Sequence, residues 1–287
     1  MDIALIGAGR VGTALAVLLS RAGHRIVGAS GRDRSRARAE AFLPGVPFLP
    51  SRDAARAADV VILGVPDDAI VPVCTDLAAA GAFETGPFVA HLSGAAPLLA
   101  LGAARAAGAQ VLSLHPLQTF PDVEAGVDRL PGSAVAVTAW EEEGFAAGER
   151  LAEDAGGRAI RVSEDRKALY HAAAVFCSNY LVAVEGLAER LFRAAGVDDP
   201  VGAFGPLARA TLDNVLRSGP ADALTGPVAR GDAGTVRRNL EALRTHAPDA
   251  VAAYVALARA SLALADRSGR LPPESRTRVR EVLDRWR

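Results

Sequence analysis

Asp2-Ile3-Ala4-Leu5-Ile6-Gly7-Ala8-Gly9-Arg10-Val11-Gly12 decides the fold. A short apolar run ends in a GxGxxG and passes into an Ala/Leu-rich stretch, Thr13-Ala14-Leu15-Ala16-Val17-Leu18-Leu19. A lone GxGxxG is a weak signal. A strand before it, a helix after it and a second strand at 25–30 make it the phosphate loop of a βαβ unit. In such a loop the first glycine permits the tight turn. The second lets the backbone approach a pyrophosphate, and the third lets helix and strand pack closely. The helix N-terminus then faces the phosphates. Gly7, Ala8, Gly9, Arg10, Val11 and Gly12 are therefore the first candidate cofactor-binding residues.

The end of the second strand selects between dinucleotides. NAD binders place Asp or Glu there for the ribose hydroxyls. This chain has Ser30-Gly31-Arg32-Asp33-Arg34. Ser30 with the guanidiniums of Arg32 and Arg34 suits a 2′-phosphate, so NADP is the expected cofactor. The bland alternative is a solvated basic turn, because Arg36 and Arg38 follow in the same run. Asp33 as a helix N-cap needs no ligand either.

Strand-like runs continue at 59–65, 87–92, 109–114, 133–138 and 158–162. Helix-like stretches at 11–22, 34–42, 68–80, 97–107 and 141–155 lie between them. This alternation predicts an α/β fold, a Rossmann-type parallel sheet. The continuous apolar run Val60-Val61-Ile62-Leu63 suits a strand covered on both faces. Beyond Ser163 the periodicity turns helical, over 165–195, 201–217, 232–245, 249–268 and 273–286. An all-helical C-terminal domain is expected, with the boundary at 162: a dinucleotide-binding domain over 1–162 and a helical substrate and dimerisation domain over 163–287. Ser163 is the expected N-cap of the long helix, with Glu164 and Asp165 in its first turn. From Ala172 to Leu187 this helix is apolar on most sides, which predicts burial all round and a dimer interface.

At 287 residues the chain can bury a sizeable core. Its formal net charge of -1 offers no basic stripe for a nucleic acid. Cys74 and Cys177 have no metal-ligand spacing and are expected as small buried hydrophobes in a reducing compartment. No metal is expected. The chain opens on a strand with no basic leader before it. The apolar stretch at 251–265 carries Arg259 and is too short to span a bilayer. A cytoplasmic protein with no membrane partner is therefore expected.

The carboxyl ends of parallel strands are where ligands gather. Val65-Pro66-Asp67-Asp68, His91-Leu92-Ser93-Gly94 and Ser113-Leu114-His115-Pro116 should share that rim. Val65, Pro66 and Ser93 are candidate cofactor contacts; Ser93, Gly94 and His115 are candidate substrate contacts. Thr225-Gly226-Pro227-Val228-Ala229-Arg230-Gly231-Asp232 is a tight loop before a helix. Thr225, Gly226 and Arg230 suit an anionic substrate, whereas Asp232 is explained equally well as an N-cap.

The motifs GAGRVG, SGRD, VPDDAI, HLSGA and SLHPLQTF resemble the Rossmann domains of pyrroline-5-carboxylate reductases, prephenate dehydrogenases and F420-dependent NADP oxidoreductases. KALYHAAAVFCSNYL and ALTGPVARGD resemble a helical domain of unknown function that accompanies such domains in bacteria. The resemblance implies the 6-phosphogluconate-dehydrogenase-like architecture, often dimerised through the helices. In related hydroxyacid dehydrogenases and ketopantoate reductases a lysine opens a helix of the second domain, with an asparagine four residues on. Lys167 matches the lysine, but His171 stands at the fourth position and Asn179 lies two turns further along. That departure leaves the substrate class open. His115-Pro116 resembles the His-Pro of prephenate dehydrogenases, while Leu117-Gln118-Thr119-Phe120 does not match them. Thr225-Gly226-Pro227 resembles the small-residue loop of pyrroline-5-carboxylate reductases.

Lys167 is the only lysine among 32 basic residues. Lysine changes pKa readily on burial and can deliver a proton; arginine cannot. Lys167 and His171 are i, i+4 and share a helix face. Asn179 lies about 120° round and is expected to be bonded within the helical bundle. Hydride addition to a carbonyl or imine needs a positioned acid. Lys167 is the candidate proton donor, and His171 and His115 are further catalytic candidates. His24 and His246 are expected to be structural or on the surface. These residues predict an NADP-dependent oxidoreductase acting on a small carbonyl, imine or hydroxyacid, as a homodimer. The alternative is a non-catalytic NADP-binding sensor or dimerisation module.

Overall fold

The computed structural model describes residues 1–267, 269 and 271–286. It divides into two compact units, Met1–Cys177 and Ser178–Arg287. The sequence suggests a boundary at 162. The compact division falls later because the helix that opens with Lys167 packs into the first unit.

In the first unit β1 (Asp2–Ile6), α1 (Arg10–Arg21) and β2 (Arg25–Ser30) form the opening βαβ. There follow α2 (Asp33–Phe42), α3 (Ser51–Arg56), β3 (Val60–Leu63), α4 (Asp67–Ala79) and β4 (Phe88–His91). A 3-10 turn at Leu98–Leu101 leads into α5 (Gly102–Ala106). Then come β5 (Gln110–Pro116), α6 (Val123–Arg129), β6 (Ala134–Ala139), α7 (Glu142–Asp154) and β7 (Arg158–Arg161). A second 3-10 turn, Glu164–Arg166, enters α8 (Lys167–Cys177). Every predicted strand forms, and α3 and α6 are additional short helices. Asp33 is the first residue of α2, capped by Arg32, rather than the cap itself.

The sheet has seven strands in the order β2-β1-β3-β4-β5-β6-β7. All neighbours from β2 to β5 are parallel. The expected parallel order breaks at β6, which pairs antiparallel with β5. The connection explains the reversal. The seven residues of α6 span about 10 Å, whereas the seven of β5 span about 23 Å. The connecting chain therefore returns at the end where β5 finished, and Leu117 N–H donates to Ala134 C=O, 2.8 Å. β3 is buried at every position, as its unbroken apolar run requires. Ile3, Leu5, Leu15, Leu19 and Leu112 pack one face of the sheet. Ile6, Leu63, Ile70 and Phe83 pack the other.

The second unit contains α9 (Asn179–Ala194), α10 (Pro200–Ser218), α11 (Pro220–Ala223), α12 (Gly226–Ala229), α13 (Ala233–His246), α14 (Val251–Arg267) and α15 (Pro273–Asp284). Val236 and Leu240 of α13, Val255 and Leu262 of α14, and Val279 and Leu283 of α15 form its core. Asp232 caps α13 by accepting from Thr235 N–H at 2.9 Å.

The long helix expected over 165–195 is two helices. Ser178 leaves helical geometry (φ -120°, ψ -69°). Ser and Asn side chains compete for backbone hydrogen bonds in non-helical conformations, so Ser178-Asn179 is a polar interruption of an Ala/Val/Leu-rich stretch. Burial all round is not observed either. Leu169, Phe176 and Val182 are 65–71% exposed in the single chain, and Leu207 and Leu216 of α10 are 66% and 76% exposed. Asn179 and Cys177 are exposed as well, contrary to expectation, while Cys74 is buried. Among the described residues two helical stretches, Glu164–Ala194 and Pro248–Arg267, are long and apolar enough to cross a membrane by length and composition. The second is longer than the sequence suggests. However, Val255, Ala258, Leu262 and Ala265 bury its inner stripe within the helical core, as in an amphipathic core helix.

Candidate active site

A cleft of about 550 Å³ opens where the sheet order reverses between β1 and β3. Gly7, Gly9, Ser30, Gly31, Arg32, Ser35, Ser51, Gly64, Val65 and Pro66 all line it. The glycines are there because backbone passes backbone. Gly7 has φ +85°, and a Cβ on Gly9 would lie 2.9 Å from the Gly64 carbonyl oxygen. A Cβ on Gly12 would lie 2.8 Å from Leu5 Cδ1, so that glycine lets α1 pack on β1. Gly9 caps α1 with no side-chain hydrogen bond, leaving the first-turn N–H groups open to an anion. These features fit a dinucleotide pyrophosphate.

At the end of β2, Ser30 Oγ pairs with Ser51 Oγ at 2.9 Å, and among the described residues no carboxylate lines the cleft. Arg32 and Ser35 face it; Arg34 is exposed and outside the lining. Two arginines of the same run have other partners. Arg36 stacks over Phe48 at 4.4 Å, and Arg38 donates to the Ala8 carbonyl at 2.7 Å, bracing the glycine loop. Ala8 and Gly12 are buried beneath the loop, and Arg10 and Val11 begin α1.

Asp67, the first residue of α4, connects this cleft to a second cluster. Its Oδ2 accepts from Ser93 Oγ at 2.6 Å. Ser93 Oγ also receives Ala95 and Ala96 N–H, which sets the loop after β4. His91 and Ser113 lie side by side in the β4–β5 register. Lys167 reaches this point from α8 and is only 3% exposed. Its Nζ donates to the Ser93 carbonyl at 2.9 Å and to Ser113 Oγ at 2.5 Å. Glu164 anchors the turn before α8 by accepting from Leu98 N–H at 2.8 Å.

Burial pulls the Lys167 ammonium from 10.5 to about 8, against the opposing pull of Glu164 and Asp67. Burial and then the Lys167 charge lower His91 to about 3 and His115 to about 4, so both are neutral imidazoles. His115 Nδ1 lies 2.9 Å from Tyr170 Oη, and the His115 and His171 rings are 6.1 Å apart. Lys167, Tyr170 and His171, at i, i+3 and i+4, therefore serve one cluster from one helix face.

Ser93, Gly94, His115, Lys167 and His171 all meet there. Asp67, Ser113 and Tyr170 are not among the candidate site residues. Asp67 and Ser113 stand in the rim segments VPDD and SLHP but carry no role there, and Tyr170 is set by its i+3 spacing from Lys167. In the cofactor cleft, Ser35 and Ser51 were also unexpected. Thr225, Gly226 and Arg230 belong to the second unit, where they line a hollow of about 280 Å³. His24 is buried against Asp154 at 2.8 Å, and His246 ends α13.

Strand order, glycine loop and cleft define the first unit as a Rossmann-like domain. Residues 1–116 match the Rossmann-like domain model, and residues 133–261 match DUF2520, a domain of unknown function. The DUF2520 match includes Lys167, Tyr170 and His171. No curated protein matches the sequence. Among solved structures, BF3122 from Bacteroides fragilis, named a candidate NADP oxidoreductase, is 24% identical over 91% of this chain and 97% of its own, with TM-score 0.72. TM1727 from Thermotoga maritima is 23% identical over 93% and 100%, with TM-score 0.73. The Streptomyces aurantiacus imine reductase is 19% identical over 99% of both chains, with TM-score 0.63. At these identities the likeness is one of fold.

Proposed function

We propose that this protein is an NADP-dependent oxidoreductase that moves a hydride between nicotinamide and a small carbonyl, imine or hydroxyacid, with Lys167 as proton donor. The observation that carries it is the buried ammonium of Lys167, held by Ser93 and Ser113 beside a glycine-lined dinucleotide cleft. When bound, NADPH supplies the hydride. Gly7, Gly9 and the α1 N-terminus hold the pyrophosphate; Ser30, Arg32 and Ser35 hold the 2′-phosphate. Ammonium has three N–H donors, and Ser93 and Ser113 occupy two. The third donates to the substrate heteroatom as charge develops there. A pKa of about 8 suits release of that proton near neutrality. His115 and His171 line the same site, and Asp67 links it to the cofactor cleft.

NADPH oxidation is measured against a panel of ketones, cyclic imines and 2-oxoacids. Turnover that survives Lys167→Ala unimpaired refutes the role of Lys167. Binding of NADPH without turnover on any substrate supports a sensor instead. Arg32→Ala is expected to weaken NADPH about tenfold and NADH little; equal loss refutes the 2′-phosphate contact.

The enzyme acts as a cytosolic homodimer. In support, Val182, Leu207 and Leu216 are 66–76% exposed on α9 and α10. Val182→Asp is expected to halve the mass measured by light scattering. An unchanged mass overturns a dimer through this face.

A further inference from the structure

Tyr170 has no part in the chemistry assigned above. Its hydroxyl lies 2.9 Å from His115 Nδ1, and the two rings meet edge to face with centroids 5.6 Å apart. Tyr170 and His115 are both half-buried, whereas Ser113 and His91 are fully buried. The pair is thus the more exposed part of the cluster, beside the buried Lys167 ammonium.

Counting protons defines what the pair presents. A neutral imidazole has one N–H and a phenol one O–H. One of the two is used between the rings. If Nδ1–H donates to Oη, the phenol O–H points outward. If Oη–H donates to Nδ1, the Nε2–H points outward. Either way the pair offers one donor, one acceptor and no charge. Gly94 leaves the Nε2 end open, because a Cβ there would lie 2.8 Å from His115 Nε2 and 2.8 Å from His171 Cδ2. Both members stay neutral across the working range. Burial and the Lys167 charge hold His115 at about 4, and burial pushes Tyr170 up to about 12.

The surrounding charge disfavours an anion. Lys167 directs N–H bonds at Ser93 and Ser113, and the Asp67 carboxylate is exposed beside Ser93. Glu164 adds a second carboxylate near Lys167. Resting on the oxidoreductase reading and narrowing it, we propose that Tyr170 and His115 together donate one neutral hydrogen bond to the second lone pair of the reacting oxygen of an uncharged carbonyl, whose first lone pair faces the Lys167 ammonium. The site thereby rejects substrates with a carboxylate next to the reacting carbon.

Calorimetry on the full chain tests this without turnover. NADP+ is titrated first; failure to bind overturns the oxidoreductase reading and this inference with it. The NADP+-loaded protein is then titrated with 2-pyrrolidinone, an uncharged carbonyl, and with oxamate, a carboxylate-bearing one. Pyrrolidinone is expected to bind more tightly than oxamate. Tyr170→Phe should weaken pyrrolidinone about three- to tenfold, the worth of one neutral hydrogen bond, and leave NADP+ affinity unchanged. If NADP+ binds normally, three results each overturn the inference and leave the oxidoreductase reading standing: tighter binding of oxamate, no binding of pyrrolidinone, or pyrrolidinone binding indifferent to Tyr170→Phe.

Discussion

Burying the only lysine makes the stability of the first unit depend on pH in a defined direction. Lys167 has an ordinary pKa of 10.5 and a folded pKa of about 8. A lysine lowered on folding destabilises the native state while both states are protonated. That penalty is full below pH 8 and fades as pH rises towards 10.5. At pH 7 it amounts to about 3 kcal/mol, and at pH 10 to under about 1 kcal/mol. Wild type is compared with Lys167→Met, which keeps the apolar stem and removes the charge. Ser93 C=O and Ser113 Oγ lose a donor in the variant, but that cost is the same at every pH. The stability difference between the two proteins should therefore move by about 2.5 kcal/mol in favour of wild type from pH 7 to pH 10. Tyrosine ionisation in the unfolded state is common to both proteins and cancels. Urea unfolding is followed by Trp140, which follows β6 and lies under the Arg105 guanidinium at 4.3 Å. Trp286→Phe in both proteins leaves Trp140 as the only tryptophan. A difference that stays flat over this range would refute the desolvated ammonium, and with it the pKa that suits Lys167 to proton transfer.

Two further predictions concern the cleft and the core. Gly9→Ala places a Cβ 2.9 Å from a backbone oxygen of Gly64, which cannot move aside as a side chain can. NADPH affinity should fall at least about tenfold by calorimetry while the chain stays folded by circular dichroism; unchanged affinity would show that the loop does not hold the pyrophosphate. Phe83 is fully buried between α4 and the sheet. Phe83→Ala should cost about 3–5 kcal/mol in urea unfolding of the first unit, and a loss under about 1 kcal/mol would place that ring outside a packed core.

What could be read before folding was local. Apolar runs of four to six residues predict strands wherever both faces of a sheet are covered, and the strand bounds agree with the structure to within a residue or two. The helix break at Ser178 was not legible, because helical periodicity runs straight through it. Exposure of α9 and α10 was not legible either. Apolarity states what a surface needs covered; it does not say whether the same chain covers it. The direction of β6 depended on how far a connection of one short helix could carry the chain.

The active-site candidates divide in the same way. Gly7, Gly9 and Gly12 announce themselves because a phosphate loop is built from consecutive residues. Lys167 stood out by composition and His171 by its i+4 spacing. The sequence alone thus determined the Rossmann-type sheet, the glycine loop and the identity of the unusual lysine, all properties of neighbouring residues. Only the tertiary structure joined Lys167 to a carbonyl 74 positions away and a hydroxyl 54 positions away. Only it set Tyr170 against His115, 55 positions apart. Those contacts remove the ammonium from water and keep the imidazole neutral, and desolvation exists only once the chain has closed around a group.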